Sequence, residues 1–350
     1  MLRGQIVTLV DPDRTDSAQA RRGAIRYLIA KQDPRGFWHD FETLAGSSDE
    51  WVTAYVGSVL AEVPEQQARQ AAYKSWHALC RRRRWSGAWG FNRITPADAD
   101  STVWGLQLAV RLGAGTSRRA QRAFRFADRH VVADGALATY RRSGPIRHFT
   151  RLQRNMSFDG WCSGHVCVTA AGSSLKGFPG RDRILAYLRK TQLDDGSWPA
   201  YWWADREYST GLAAEGLTES PDPDHIARLS RAGEWAANRI LTPGRAFQRD
   251  PLESPFATSY CLITLTHADG ADAGGGAARH AVDSLLNSQR DDGSWAPSAA
   301  LRIPPPHMRD PDSHRQWLNG GRGGGSIQVD HNALYTTASV LRALNGVHHG

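Results

Sequence analysis

The sequence predicts an all-α protein, a single α6/α6 toroid of six inner and six outer helices. Three observations carry this. First, six apolar runs with helical period each contain a Thr, followed in five of them by a small residue: 50–63 (Thr53), 98–113 (Thr102), 164–178 (Thr169), 205–217 (Thr210), 254–270 (Thr258) and 331–346 (Thr337). Second, six amphipathic segments with charged faces alternate with them, at 19–32, 67–82, 117–130, 180–192, 224–240 and 277–289. An apolar helix has to be enclosed and an amphipathic one can enclose it, so strict alternation closes into two concentric rings. Third, no segment shows sustained strand alternation with hairpin turns, which leaves a mixed α/β fold without support.

The links agree with this order. Inner-to-outer links are short and turn-rich, as at 111–117 and 218–224. Outer-to-inner links are longer and carry Gly and Trp together: Gly36-Phe37-Trp38, Gly87-Ala88-Trp89, Gly160-Trp161, Gly196-Ser197-Trp198 and Gly293-Ser294-Trp295. Gly makes the turn and Trp packs it between neighbouring helices. The longer links gather at the rim where the inner helices begin.

The chain's 350 residues exceed the usual single-core size. The repeat nevertheless closes with nothing left over, so one toroid is expected over 17–350 after an N-terminal extension at 1–16. A composition of 41% hydrophobic and 22% charged residues excludes disorder over most of the length. The formal charge of +8 is carried mostly by Arg and reads as a soluble surface rather than a nucleic-acid site. Cys80, Cys162, Cys167 and Cys261 have no disulfide-framework spacing. No run reaches the length of a membrane span, and residues 1–10 are too poor in apolar residues for a signal peptide. A cytoplasmic location is expected, with peripheral membrane contact left open.

The most informative stretch is Asp98-Ala99-Asp100-Ser101-Thr102 at the start of the second inner helix. Aligning the six inner helices on their Thr puts Trp51, Asp100, Cys167, Tyr208, Phe256 and Tyr335 two residues before it. Tyr55, Trp104, Ala171, Leu212, Tyr260 and Ser339 fall two residues after it. Each pair is i, i+4 and shares one helical face. A carboxylic acid inside such an aromatic ring needs a reason, because an unpaired acid in a plain core costs several kcal/mol, on the order of a small domain's total stability.

The paired Gln-x-Asp-Asp-Gly-Ser-Trp turns from Gln192 and Gln289 resemble the QW repeat of squalene and hopene cyclases. The Asp98–Thr102 stretch is similar to the Asp-x-Asp-Asp-Thr motif of class II terpene cyclases. The resemblance implies a protonation-initiated isoprenoid cyclase, with Asp100 donating a proton to an alkene or epoxide and Asp98 tuning it. A neighbouring carboxylate raises the pKa of one member of a pair, and the helix N-terminus favours the anion left after donation. Trp51, Tyr55, Trp104, Tyr208, Phe256, Tyr260 and Tyr335 would then stabilise the cation at roughly 0.5–2 kcal/mol each. No cofactor is implied, with Mg2+ relevant only to a diphosphate-bearing substrate.

The chain departs from the family in three ways. Ser101 stands where the motif has a third carboxylate. No His follows Thr169-Ala170, so His165, one turn earlier, is the candidate to hydrogen-bond Asp100. There is one toroid where the known cyclases pair two, so long loops or a second subunit, such as a homodimer partner, would have to close the cavity. Two long links are the candidate cover. Residues 140–165 carry Arg141, Arg142, Arg147, His148, Arg151 and Arg154, cations able to hold a diphosphate. Residues 299–330 carry Pro304–Pro306, His307, His314, Trp317 and a Gly-rich stretch read as a hinge or a disordered segment. Arg81–Arg84 reads as solvated charge.

Three rival readings remain. Cys162, His165 and Cys167 are close enough in sequence for a zinc enzyme, although a second ligand pair is missing. A non-catalytic toroid would use Asp98 and Asp100 only to cap a helix. A glycosidase would need two carboxyls facing each other across a groove.

Overall fold

The computed structural model describes residues 12–82, 84–153, 155–220, 223–242, 251–268 and 275–347. The inner helices are α2 (Glu50–Leu60), α4 (Ala99–Arg111), α7 (Val166–Ser173), α9 (Glu207–Thr218), α11 (Pro255–His267) and α13 (Leu334–Gly346). The outer ones are α1 (Pro12–Ala30), α3 (Gln66–Arg81), α5 (Arg118–Asp128), α8 (Arg181–Thr191), α10 (His225–Leu241) and α12 (Gly275–Asn287). A further short helix, α6 (Ser143–Thr150), lies in the link before α7. Of the expected extension at 1–16, residues 1–11 lie outside the described residues, and the first outer helix already begins at Pro12.

The inner helices touch in the order α2, α4, α7, α9, α11, α13 and back to α2, which closes the ring. Each outer helix packs on the inner helix before it, and α1 packs on α13, so the chain's two ends complete the last pair.

The repeated residues explain the closure. The indole N–H of Trp38, Trp89, Trp198 and Trp295 donates to the carbonyl ten residues earlier, on Leu28, Leu79, Leu188 and Leu285, at 2.7–3.1 Å. Each of these Trp backbone N–H groups donates to the Thr of the following inner helix: Thr53, Thr102, Thr210 and Thr337. One Trp thus ties an outer helix to an inner one while satisfying two buried polar groups. Gln32, Gln192 and Gln289 brace the turn and reach the next outer helix, at Ala71, Arg228 and Ala20. At Gly36, Gly135, Gly196 and Gly293 φ is positive, and a Cβ would strike a backbone carbonyl of that next helix. Glycine is required there by both conformation and space.

The third repeat is not where the Gly-Trp pattern places it. The turn is at Asp134-Gly135-Ala136, with Leu137 in the Trp position donating its N–H to Thr169 Oγ1 at 2.8 Å. Trp161 belongs to the cavity cover instead.

The all-α expectation holds for the rings and needs one addition in the links. Residues 40–48 form a hairpin of β1 (Asp40–Thr43) and β2 (Gly46–Ser48). The 299–330 link contains β3 (Ala300–Ile303), β4 (Leu318–Asn319) and β5 (Ser326–Val329), ordered β3-β5-β4. These strands have two to four residues each, too few to show alternation. The Gly-rich stretch is not a hinge; it forms the turn from β4 into β5, with Gly325 N–H bonded to Ile303 O at 2.7 Å.

Candidate active site

Asp98 is the N-cap of α4. Its carboxylate accepts from Ser101 N at 2.7 Å and from Ser101 Oγ at 2.9 Å. Ser101, standing where the family motif has a carboxylate, therefore has a defined task. Burial pushes the Asp98 pKa up to about 7, against the pull of the Ser101 hydrogen bonds.

Asp100 sits in the first turn of the same helix and borders a cavity of about 320 Å³. Its Oδ1 is buried without a hydrogen-bond partner. Burial, then the neighbouring Asp98, hold its pKa well above the usual carboxylate range, with the Trp51 indole opposing them. That pull is weak, because the indole N–H is buried beside the carboxyl without forming a hydrogen bond. The result is a carboxyl at the cavity's edge that burial and Asp98 hold toward its protonated form, with one oxygen unpartnered in the protein. That is the state a general acid needs.

Most of the remaining cavity wall is apolar and aromatic, including Trp51, Phe91, Tyr140, Trp161, Trp202, Ile146 and Phe149. Burial and Asp98 raise the Tyr140 pKa, so its hydroxyl stays neutral. The cover comes from three links. The β1–β2 turn supplies Leu44, the α6 link supplies Phe149 and Trp161, and the β3–β5 sheet supplies Leu301, Ile303 and Arg322. The last two are fastened together, since Trp161 donates its backbone N–H to Pro306 O at 3.2 Å and its indole N–H to Pro304 O at 2.9 Å. Loops of this one chain therefore wall the space above the toroid.

Several expected site residues lie elsewhere. Of the seven aromatics expected to line the cavity, Trp51 does so. Tyr55, Trp104, Tyr208, Phe256, Tyr260 and Tyr335 form a packed plug along the toroid axis below it, joined by Trp203. Tyr55 stacks on Tyr335 at 3.8 Å between centroids, and Trp104 Nε1 donates to the Tyr208 hydroxyl at 3.1 Å. The Tyr55 hydroxyl meets those of Tyr260 at 3.0 Å and Ser339 at 2.7 Å. The buried hydroxyls thus satisfy one another, with Ser339 and the nearby Arg342 guanidinium.

His165 does not bond Asp100. Its Nε2 donates to Gly160 O at 2.8 Å, which leaves Nδ1 to accept from the Thr139 hydroxyl at 2.7 Å. Trp202 Nε1 lies 2.7 Å from Thr139 Oγ1, so His165 acts on the cavity wall by fixing Thr139 and Trp202. Burial lowers its pKa to about 3 and keeps it neutral.

Nor does the zinc set assemble. Among the described residues no three His, Cys, Asp or Glu side chains are gathered as a metal site. Burial raises the thiols of Cys162 and Cys167 to about 11, the reverse of what a thiolate ligand requires. The glycosidase reading fails because Asp98 is spent on the helix cap rather than facing Asp100 across a groove.

The cations also differ from expectation. Arg141, Arg142, Arg147, His148 and Arg151 do not border the cavity, and Arg154 lies outside the described residues. Among the described residues Arg322 is the cavity's cation, hidden in sequence by its glycine neighbours. Arg82 and Arg84 are not simply solvated. Arg82 pairs with Asp49 at 2.6 Å, and Arg84 with buried Glu50 at 2.9 Å and with the Thr95 carbonyl at 2.9 Å. Arg83 lies outside the described residues.

No family model matches the chain. Solved structures do. The type II terpene cyclase MstE from Scytonema, in complex with merosterolic acid A as product, is 37% identical with a TM-score of 0.91, over 97% of this chain and 99% of that one. A structure of the same cyclase with geranylgeranyl dihydroxybenzoate as substrate aligns at TM-score 0.90. A protein from Actinoplanes is 38% identical, over 95% of this chain and 99% of its own, with a TM-score of 0.88. An ent-copalyl diphosphate synthase from Streptomyces platensis, at 19% identity and TM-score 0.56, shares the fold over 85% of this chain and 50% of its own. Identity at this level over almost the whole length of both chains places the protein in a family: it belongs to the type II terpene cyclases.

Proposed function

We propose that Asp100 starts the cyclisation by transferring its proton to a terminal alkene or epoxide of an isoprenoid chain folded in the cavity. The observation that carries this is Asp100 bordering an aromatic-lined cavity with its Oδ1 buried and unpartnered. Asp98 supports it by holding the Asp100 pKa up. The helix N-terminus stabilises the carboxylate left after transfer. Trp51, Phe91, Trp161 and Trp202 offer π-faces to the cation, and the cover keeps water from capturing it early.

Arg322 supports an anionic head group on the substrate. The Scytonema cyclase binds geranylgeranyl dihydroxybenzoate. By that likeness, an isoprenoid tail on an aromatic carboxylate is the proposed substrate class, with Arg322 holding the carboxylate. The proton comes from a side chain, so this reading needs no metal, and a chelator should leave turnover unchanged. The decisive experiment incubates wild type, Asp100→Asn and Arg322→Ala with geranylgeranyl dihydroxybenzoate and with geranylgeranyl diphosphate. The expected result is cyclised benzoate from wild type, none from Asp100→Asn, and a raised KM for Arg322→Ala. Preference for the diphosphate, or cyclisation by Asp100→Asn, would overturn the reading.

A further inference from the structure

A second pocket, of about 480 Å³, shares no lining residue with the cavity. Five arginines border it: Arg35 from the link after α1, Arg81 and Arg82 at the end of α3, and Arg84 and Arg93 from the link that follows α3. Glu50 is the carboxylate in its wall among the described residues. Three of the cations have an acid beside them: Asp33 lies 3.5 Å from Arg35, Asp49 2.6 Å from Arg82 and Glu50 2.9 Å from Arg84. That leaves Arg81 and Arg93, both exposed and without a carboxylate partner among the described residues.

Two of the arginines are held in place before any ligand arrives. The Arg82 guanidinium lies 4.3 Å from the centroid of the Phe37 ring, and Arg84 donates to the Thr95 carbonyl at 2.9 Å and the Asn92 carbonyl at 2.6 Å. Their side-chain freedom is already lost, so binding does not bear that cost. Two buried atoms in the same wall form no hydrogen bond: Arg82 Nε, a donor, and Glu50 Oε1, an acceptor, 3.7 Å apart. A ligand that meets both has to accept from arginine and donate to a carboxylate. A phosphate group does both, because it is anionic and, with a second pKa of about 6, still carries a proton part of the time near neutral pH. A carboxylate or sulfate is fully ionised there and only accepts.

We propose that this arginine pocket is a binding site for a diphosphate group, separate from the cyclisation cavity. Guanidinium forks take phosphate oxygens two at a time, and five forks offer more donors than a single phosphate can use. Two linked phosphates use them. A diphosphate bridging Arg81 and Arg93 ties the end of α3 to the link that enters the cavity wall at Phe91 and Thr95. The site goes beyond the reading of the cavity and does not rest on it, because the two share no residue.

The test is isothermal titration calorimetry of the full chain with sodium diphosphate and with sodium sulfate at matched ionic strength. Wild type should bind one diphosphate per chain and take sulfate about tenfold more weakly, because sulfate leaves the Glu50 acceptor unmet. Arg81→Ala and Arg93→Ala should each weaken diphosphate about tenfold. Diphosphate should also raise the melting temperature of wild type but not of the double variant, whose circular dichroism spectrum stays native. ADP carries the same group as an ester. If it displaces diphosphate the pocket takes a phosphate ester, and if it does not the pocket takes the free ion; the site stands in both cases. Wild type giving no binding heat with diphosphate would overturn the proposal. So would equal affinity for sulfate, or wild-type affinity in the double variant.

Discussion

Two aromatic regions lie one above the other in this molecule and do opposite things. Along the axis, Tyr55, Tyr208, Tyr260 and Tyr335 pass hydrogen bonds among themselves and with Trp104 and Ser339, and stack down to 3.8 Å. At the rim, Trp51 and Asp100 keep buried polar atoms unpaired beside an open space. Ring content does not separate a packed core from a reactive wall. What separates these rings is whether their own polar atoms are satisfied, because an unmet buried donor or acceptor costs about 1–3 kcal/mol.

Replacing Asp100 with Asn should break the rim without harming the plug. Turnover should fall by roughly 10²–10⁴-fold or more, the span that a general acid contributes, while the far-ultraviolet spectrum stays native. Stability should change by no more than about 1 kcal/mol, since an amide of the same shape replaces a carboxyl that burial and Asp98 already hold toward the protonated form. Rate measurements with thermal unfolding check both parts. A variant that loses rate and melts early would return Asp100 to a structural role.

The reverse experiment is in the plug. Tyr335→Ala removes a fully buried ring that stacks on Tyr55 and Trp51, and should cost about 3–5 kcal/mol in denaturant unfolding. Trp161→Leu at the rim should cost less stability but change turnover or product pattern. If both behave alike, the division between plug and wall is wrong.

Which side chains meet at the axis could be read from the chain, because a period of 3.6 and a Thr every repeat align the inner helices, but not that six of the seven expected aromatics pack solid instead of lining the cavity. The rim resisted such reading. Asp159-Gly160-Trp161 carries the same letters as the true turns, yet the third turn is at Gly135, with Leu137 in place of Trp. Arg82 and Arg84 look like a solvated run until the fold brings Asp49 and Glu50, more than thirty residues earlier, against them. Arg322, flanked by glycines in the sequence, becomes the cavity's cation only once β5 pairs with β3. Each miss is a long-range contact that no local period records.

Asp98 sharpens the comparison through pH. Its folded-state pKa of about 7 lies above the ordinary 3.8, so the folded chain holds a proton that the unfolded chain has released. The associated stability is fully present below pH 3.8 and lost as pH rises to about 7. Asp98→Asn keeps a capping oxygen and escapes that loss. It should match wild type in acid and exceed it at neutral pH by on the order of 1–4 kcal/mol. Removing the Asp98 charge also removes a cause of the raised Asp100 pKa, so the alkaline limb of the rate profile should move to lower pH.

The smallest effect is expected at His165, and it separates acid tuning from wall positioning. A neutral imidazole with one donor to Gly160 and one acceptor for Thr139 can be replaced by Gln, which offers both functions. His165→Gln should cost about 1 kcal/mol and change kcat/KM only a few-fold, as Trp202 shifts against the substrate. Its pH profile should superimpose on that of wild type, because burial already holds His165 near 3, below the working range. A displaced limb would mean that the imidazole communicates with Asp100 after all, across a wall where the structure shows no bond between them.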